Sequence, residues 1–237
     1  MRKTILAFVS ATLLLSCADE KKSEKNFVLT GNIKGLQKGT LYIQRVVDTA
    51  LVAIDTIVIN GNSQFISDFD LKSPEMLYLF LDRGVSNSLD NNIPFFAEPG
   101  KMTLETSLDF FTADVKITGS KNQALYDDYR KVVSRFIDQD LDLVEAKFKA
   151  YKENNTAELE KIQTKQDAIL KRKYLYTTNF AVNNGKYEVA PYVTLAEIYD
   201  INMKYLDTIQ KTMSPKVAKS MYGKKLNDFI VERKKHE

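Results

Sequence analysis

The stretch Ile117-Thr118-Gly119-Ser120-Lys121-Asn122-Gln123 divides the chain into two kinds of sequence. Upstream of it, apolar and polar residues alternate with a period of two, as in half-buried strands; downstream, apolar residues recur about every 3.6 residues, as on one face of a helix. Ser120, with Gln123 three residues on, is a capping-box pattern opening a long helix. The expected class is therefore α+β. An N-terminal antiparallel β-sandwich or barrel-like domain should occupy 27–120, and a helical region with a long helical hairpin should occupy 121–237.

Toward the N-terminus the alternation falls into eight candidate strands, 27–34, 39–47, 51–60, 63–70, 76–82, 93–97, 101–107 and 114–118. Leu41, Ile43 and Arg45 share one face of the second, and Tyr42, Gln44 and Val46 the other. Asn60-Gly61-Asn62 and Glu98-Pro99-Gly100 supply turn residues, because Asn and Gly tolerate the backbone angles that tight hairpins need. The polar run 84–92 is the longest connection in this half and a candidate binding loop.

Toward the C-terminus, Leu125, Tyr129, Val132, Phe136, Val144 and Phe148 form a helical stripe that requires a partner. The next helix provides one: it opens at Asn155, repeats the pattern through Leu159, Ile162, Ile169, Leu170, Tyr174 and Ala181, and stops at Asn183-Asn184-Gly185. Pro191 is expected as a first helical residue, and Ser214-Pro215 repeats that logic. Two or three short helices, the last carrying Leu226, Phe229 and Ile230, complete the chain.

The first residues specify an address. Arg2 and Lys3 precede a short apolar stretch from Ile5 to Leu15, which reads as a signal peptide over 1–16 and is shorter than the roughly 20 residues a membrane span requires. Leu14-Leu15-Ser16-Cys17 resembles the lipobox of bacterial lipoprotein precursors. Cleavage before Cys17 would expose a thiol for lipidation, several acyl chains would hold the protein at a membrane, and 17–26 would form a polar tether. The expected location is the cell envelope, at the outer membrane, on its periplasmic face or at the cell surface.

Charge and cysteine content narrow the function. Removal of 1–16 lowers the formal charge from +3 to +1, too little for the clustered phosphate contacts of a nucleic-acid binder. The balance is uneven: acidic residues outnumber basic ones by four between 27 and 120, and basic outnumber acidic by five between 121 and 237. Cys17 is the single cysteine, so disulfide exchange by this chain acting alone is excluded.

Each constellation with chemical potential has a plainer structural explanation. Asp138-x-Asp140-x-Asp142 resembles the opening of a calcium loop, but Leu143 stands where that loop needs Gly and Lys149 where it needs Glu. His236 is the sole histidine and lies next to the C-terminal residue, which rules against a histidine triad or metal cluster. The aspartates at 48, 55, 68, 70, 82, 90, 109 and 114, with Glu98, keep a carboxylate-pair hydrolase formally open. Asp55-Thr56 within the apolar strand 54–59 reads as a pair satisfying local backbone groups. Tyr42, Tyr78, Phe80, Phe95, Phe96, Phe110 and Phe111 include enough aromatic surface for a stacking platform, although alternation sends most of them inward. No phosphate loop, dinucleotide fingerprint or nucleophile elbow occurs, and no cofactor or metal is expected.

Several pieces, taken in order, resemble a known arrangement. They are Gly31 and Gly35, Ile54-Asp55-Thr56 before Asn60-Gly61 and Phe65, Phe95-Phe96-Ala97-Glu98-Pro99-Gly100, Ile117-Thr118-Gly119-Ser120, Pro191, and Ser220-Met221-Tyr222-Gly223. That order is similar to the uncharacterised N-terminal domain and helical region of thioredoxin-like, thiol-disulfide oxidoreductase lipoproteins of Bacteroidetes-type bacteria. Ala18-Asp19-Glu20 resembles the acidic export tags of their surface lipoproteins. The resemblance implies a β-rich accessory domain with a helical extension. The family's Cys-x-x-Cys pair has no matching position here, so its redox activity is not carried over. The expected protein is a non-enzymatic envelope lipoprotein that contacts the membrane through lipid on Cys17 and binds a protein or envelope ligand. The alternative is an accessory of envelope thiol-disulfide or stress chemistry acting with a separate thioredoxin-fold protein.

Overall fold

The computed structural model describes residues 25–84 and 89–236. Eight strands come first: β1 (Phe27–Lys34), β2 (Lys38–Val47), β3 (Ala50–Asn60), β4 (Gln64–Phe69), β5 (Glu75–Asp82), β6 (Asn92–Ala97), β7 (Gly100–Ser107) and β8 (Lys116–Thr118). Six helices follow: α1 (Lys121–Lys152), α2 (Thr156–Asn183), α3 (Val189–Glu197), α4 (Met203–Thr212), α5 (Pro215–Ala218) and α6 (Met221–Lys234).

The strands form two four-stranded sheets, β4-β1-β7-β8 and β3-β2-β5-β6. Alternation builds their shared core. Phe27, Leu29 and Ile33 from β1, with Met102 and Leu104 from β7, meet Leu41, Ile43, Leu77, Leu79 and Phe95 from the opposite sheet. This is a sandwich rather than a barrel. One pairing departs from the antiparallel expectation: β1 and β7 run parallel, Phe27 opposite Gly100 through Lys34 opposite Ser107. A hairpin cannot join parallel neighbours, so the whole β2–β6 segment crosses over between them.

β5 is buried on both faces. Its inner face lies in the sandwich core, while Met76 and Tyr78 on the outer face join Phe96, Tyr129, Val133, Phe180, Val189 and Val193 in a second core shared with the helices. The helical region is thus mounted on the outside of the β3-β2-β5-β6 sheet. A third cluster closes the helical end, with Ile198, Leu206, Ile209, Val217, Leu226 and Ile230 at its centre.

α1 and α2 form the expected hairpin. With 32 residues, α1 is about 48 Å long at 1.5 Å per residue. Its capping box is only half made. The Gln123 N–H donates to Ser120 Oγ, but the Gln123 side chain does not return to the cap. Its Oε1 instead accepts the buried Phe96 N–H and its Nε2 donates to Asp127, so a local capping residue has become a rivet between helix and sheet.

The other helix signals fared differently. Asn155 and Ser214 cap α2 and α5 as expected, and Ser220, not singled out as a cap, opens α6. Pro191 stands third rather than first in α3, still within the first turn, where an N–H has no partner inside the helix. Four helices, not two or three, follow the hairpin; α4 is the one the sequence did not separate, although Asn202 caps it and Met203, Leu206 and Ile209 form its buried face. No helix among the described residues is long and apolar enough to cross a membrane.

Candidate functional site

Cys17, the signal peptide 1–16 and the tether up to residue 24 lie outside the described residues, as do 85–88 of the candidate binding loop. At the near end of that loop, Gly84 donates its N–H to Asp82.

Several of the candidate acids are occupied by local structure. Asp55 accepts the Thr56 N–H and the Ser67 hydroxyl, joining β3 to β4. Asp70 pairs with Lys25 at 2.9 Å and accepts the Asn26 N–H, contacts that hold its carboxyl below the usual range. Asp114 accepts the Ser107 hydroxyl. Glu98 accepts the N–H groups of Lys121 and Asn122 at the start of α1, where a carboxylate is favoured by the helix dipole. Asn122 then continues the chain of contacts, donating to Glu98 and Glu188 and accepting the Val189 N–H at the start of α3. These bonds fix the base of the hairpin to the β6–β7 turn.

The aspartate triplet lies wholly within α1. Successive residues on a helix turn by about 100°, so Asp140 projects away from Asp138 and Asp142. Asp140 accepts a hydrogen bond from Gln166 of α2 instead. Among the described residues, no group of three or more His, Cys, Asp or Glu is arranged to hold a metal. The aromatics also divide: Phe95, Phe96 and Phe111 are buried, Tyr78 faces the helices, Tyr42 stacks on Phe80 at 6.2 Å, and Phe110 is exposed.

Two surface depressions stand out. One, about 610 Å³, lies on the outer face of β4-β1-β7 and is lined by polar residues including Thr30, Asn32, Gln64 and Glu105. Its short side chains are already bonded: Thr30 to Thr103 at 3.2 Å, and Asn32 accepts the hydroxyl of neighbouring Ser63 at 2.7 Å. The other, about 390 Å³, is a groove along the hairpin between Phe136, Ile137 and Leu141 of α1 and Ile169 and Leu170 of α2.

That groove adjoins the least expected feature of the molecule. Ile137, Leu141, Val144, Phe148 and Tyr151 are 49–60% exposed. Their spacing of four, three, four and three residues makes a continuous ridge at the 3.5-residue period of a coiled-coil seam. The predicted stripe assigned Val144 and Phe148 to the contact with α2, and the structure corrects this. The buried positions are Tyr129, Val133 and Ala150, with Val133 in place of Val132. The 3.5-residue period was present in the sequence, but it was merged with the inward stripe because the two lie on adjacent arcs of one helix.

Residues 27–126 match the family model described as Domain of unknown function (DUF4369). The match covers all eight strands and the start of α1, so it includes the Glu98, Asn122 and Gln123 junction. No curated protein and no solved structure matches the chain.

Proposed function

We propose that this protein is a non-enzymatic, lipid-anchored module of the bacterial cell envelope that binds a protein partner through the bare face of its helical hairpin. One observation carries the docking role: five large apolar side chains at seam spacing stand 49–60% exposed along α1. Contiguous apolar surface of that kind marks an interaction site. The Leu14-Leu15-Ser16-Cys17 pattern supports the membrane address, and the capping and turn contacts of Asp55, Asp70, Asp114 and Glu98 favour binding over catalysis.

A photoreactive benzophenone amino acid placed at Leu141 in the full-length chain tests the docking role. Irradiation of intact cells should give a reproducible covalent protein adduct that is missing when the probe stands at exposed Lys161. Absence of any adduct at Leu141 overturns it.

The ordered motifs from Gly31 to Gly223 support a second reading, in which the module assists a separate thioredoxin-fold protein in envelope thiol-disulfide chemistry. Deletion of the gene should then shift the redox state of envelope thiols, and an unchanged state counts against that role.

A further inference from the structure

α1 carries its charge in two blocks along the ridge. Between 137 and 145 every charged residue is acidic, and between 146 and 152 every one is basic. The helix dipole favours the lysines near the C-terminus but acts only over the last turn, so it does not account for an acidic block in the body of a 32-residue helix. A partner of matching pattern does.

In the seam frame, Leu141 and Phe148 take the a positions and Ile137, Val144 and Tyr151 the d positions. The row beside d holds Asp138, Glu145 and Lys152. The row beside a is already committed to the hairpin's own second helix. Lys147 donates to Gln163 and Gln166, and Asp140 accepts from Gln166. The Asp138 row is therefore the charged edge an incoming helix meets. Lys152 also lies 4.4 Å above the Phe148 ring, which holds its charge on the ridge.

We infer that the ridge is covered by a second copy of this chain, with the two α1 helices antiparallel about a two-fold axis near residue 146. This rests on the reading of the ridge as a docking face. Parallel pairing in register sets acid on acid and lysine on lysine. Antiparallel pairing sets Asp138 against Lys152 of the second copy at both ends and leaves only Glu145 facing its own counterpart. It also layers Leu141 on Tyr151 and Val144 on Phe148. Each hairpin's groove, walled by Ile137, Leu141 and Leu170, then closes inside a four-helix bundle.

Sedimentation equilibrium of the full-length chain in density-matched mild detergent should give a dimer. Asp138→Lys alone and Lys152→Glu alone should each weaken it by about tenfold, since each replaces two ion pairs by repulsions. The double variant should recover most of the loss. Leu141→Glu with Phe148→Glu should yield a monomer with unchanged helical circular dichroism below the transition and a melting temperature that no longer depends on protein concentration. A wild-type chain that stays monomeric, or single-variant losses that the double variant leaves in place, overturns the second-copy assignment. If the benzophenone at Leu141 then captures a different protein, the docking role stands and only this assignment falls; if it captures nothing, both fall.

Discussion

The phenol oxygen of Tyr222 accepts a hydrogen bond from the backbone N–H of Met76 at 3.0 Å, joining the last helix to β5 across 146 positions of chain. The Tyr222 ring meanwhile packs against Tyr192 at 5.0 Å and Phe96 at 6.0 Å. One side chain thus carries both a polar and an apolar part of the attachment between helices and sandwich.

Tyr222→Phe keeps the ring and removes the acceptor. Loss of the partner to a largely buried N–H should cost roughly 1–3 kcal/mol. Urea unfolding followed by circular dichroism should show a lower midpoint with an unchanged slope. An unchanged midpoint would mean that the bond contributes nothing to the attachment.

Gly119 is where strand gives way to helix, and its φ of +95° is one that other residues rarely adopt. A Cβ there would also lie 2.2 Å from the Lys101 carbonyl oxygen. Gly119→Ala should therefore destabilise by roughly 3 kcal/mol or more. Thermal melting checks this, and a shift no larger than that of Gly61→Ala, which shares the positive φ at +88° but has open space around its Cβ, would show that the Lys101 contact adds nothing.

The tyrosine cluster should make the fold sensitive to alkali. Burial raises the phenol pKa of Tyr129, Tyr192 and Tyr222, and burial together with Asp200 pushes Tyr174 up to about 12. An unfolded tyrosine ionises near pH 10, so below that value both states are neutral and the stabilisation is complete. As pH rises above about 10, the unfolded chain loses protons that the folded chain retains, and stability falls. Urea midpoints should be constant between about pH 8 and 9 and drop above about pH 10, while phenolate absorbance of the buried rings appears only with unfolding. Full phenolate absorbance in the folded protein would contradict this.

Cys17 should take up labelled palmitate in growing bacteria, and Cys17→Ser should abolish both the label and membrane retention. Protease shaving of intact cells separates surface display from a periplasmic location. Label retained in Cys17→Ser would refute lipidation at this residue.

The strands were legible because period-two alternation is a local property: β1 to β7 fell within one residue of the alternating runs at each end, while β8 begins two residues late, at Lys116 rather than 114. The helix breaks at Asn183 and Ser214 were legible for the same kind of reason, since capping is settled within three residues. The ridge was misread because periodicity reports which arcs of a helix are apolar and not which arc a neighbour covers. α1 is apolar over more of its circumference than α2 can hide.

By itself, then, the sequence determined the two-part architecture and the presence of a single thiol, because each is written in short-range order or composition. Tertiary structure alone decided that β1 pairs parallel with β7, that Gln123 abandons its cap to satisfy Phe96, and that Ile137, Leu141, Val144, Phe148 and Tyr151 remain uncovered. These are outcomes of competition among distant partners for the same groups. Their result depends on where the rest of the chain packs.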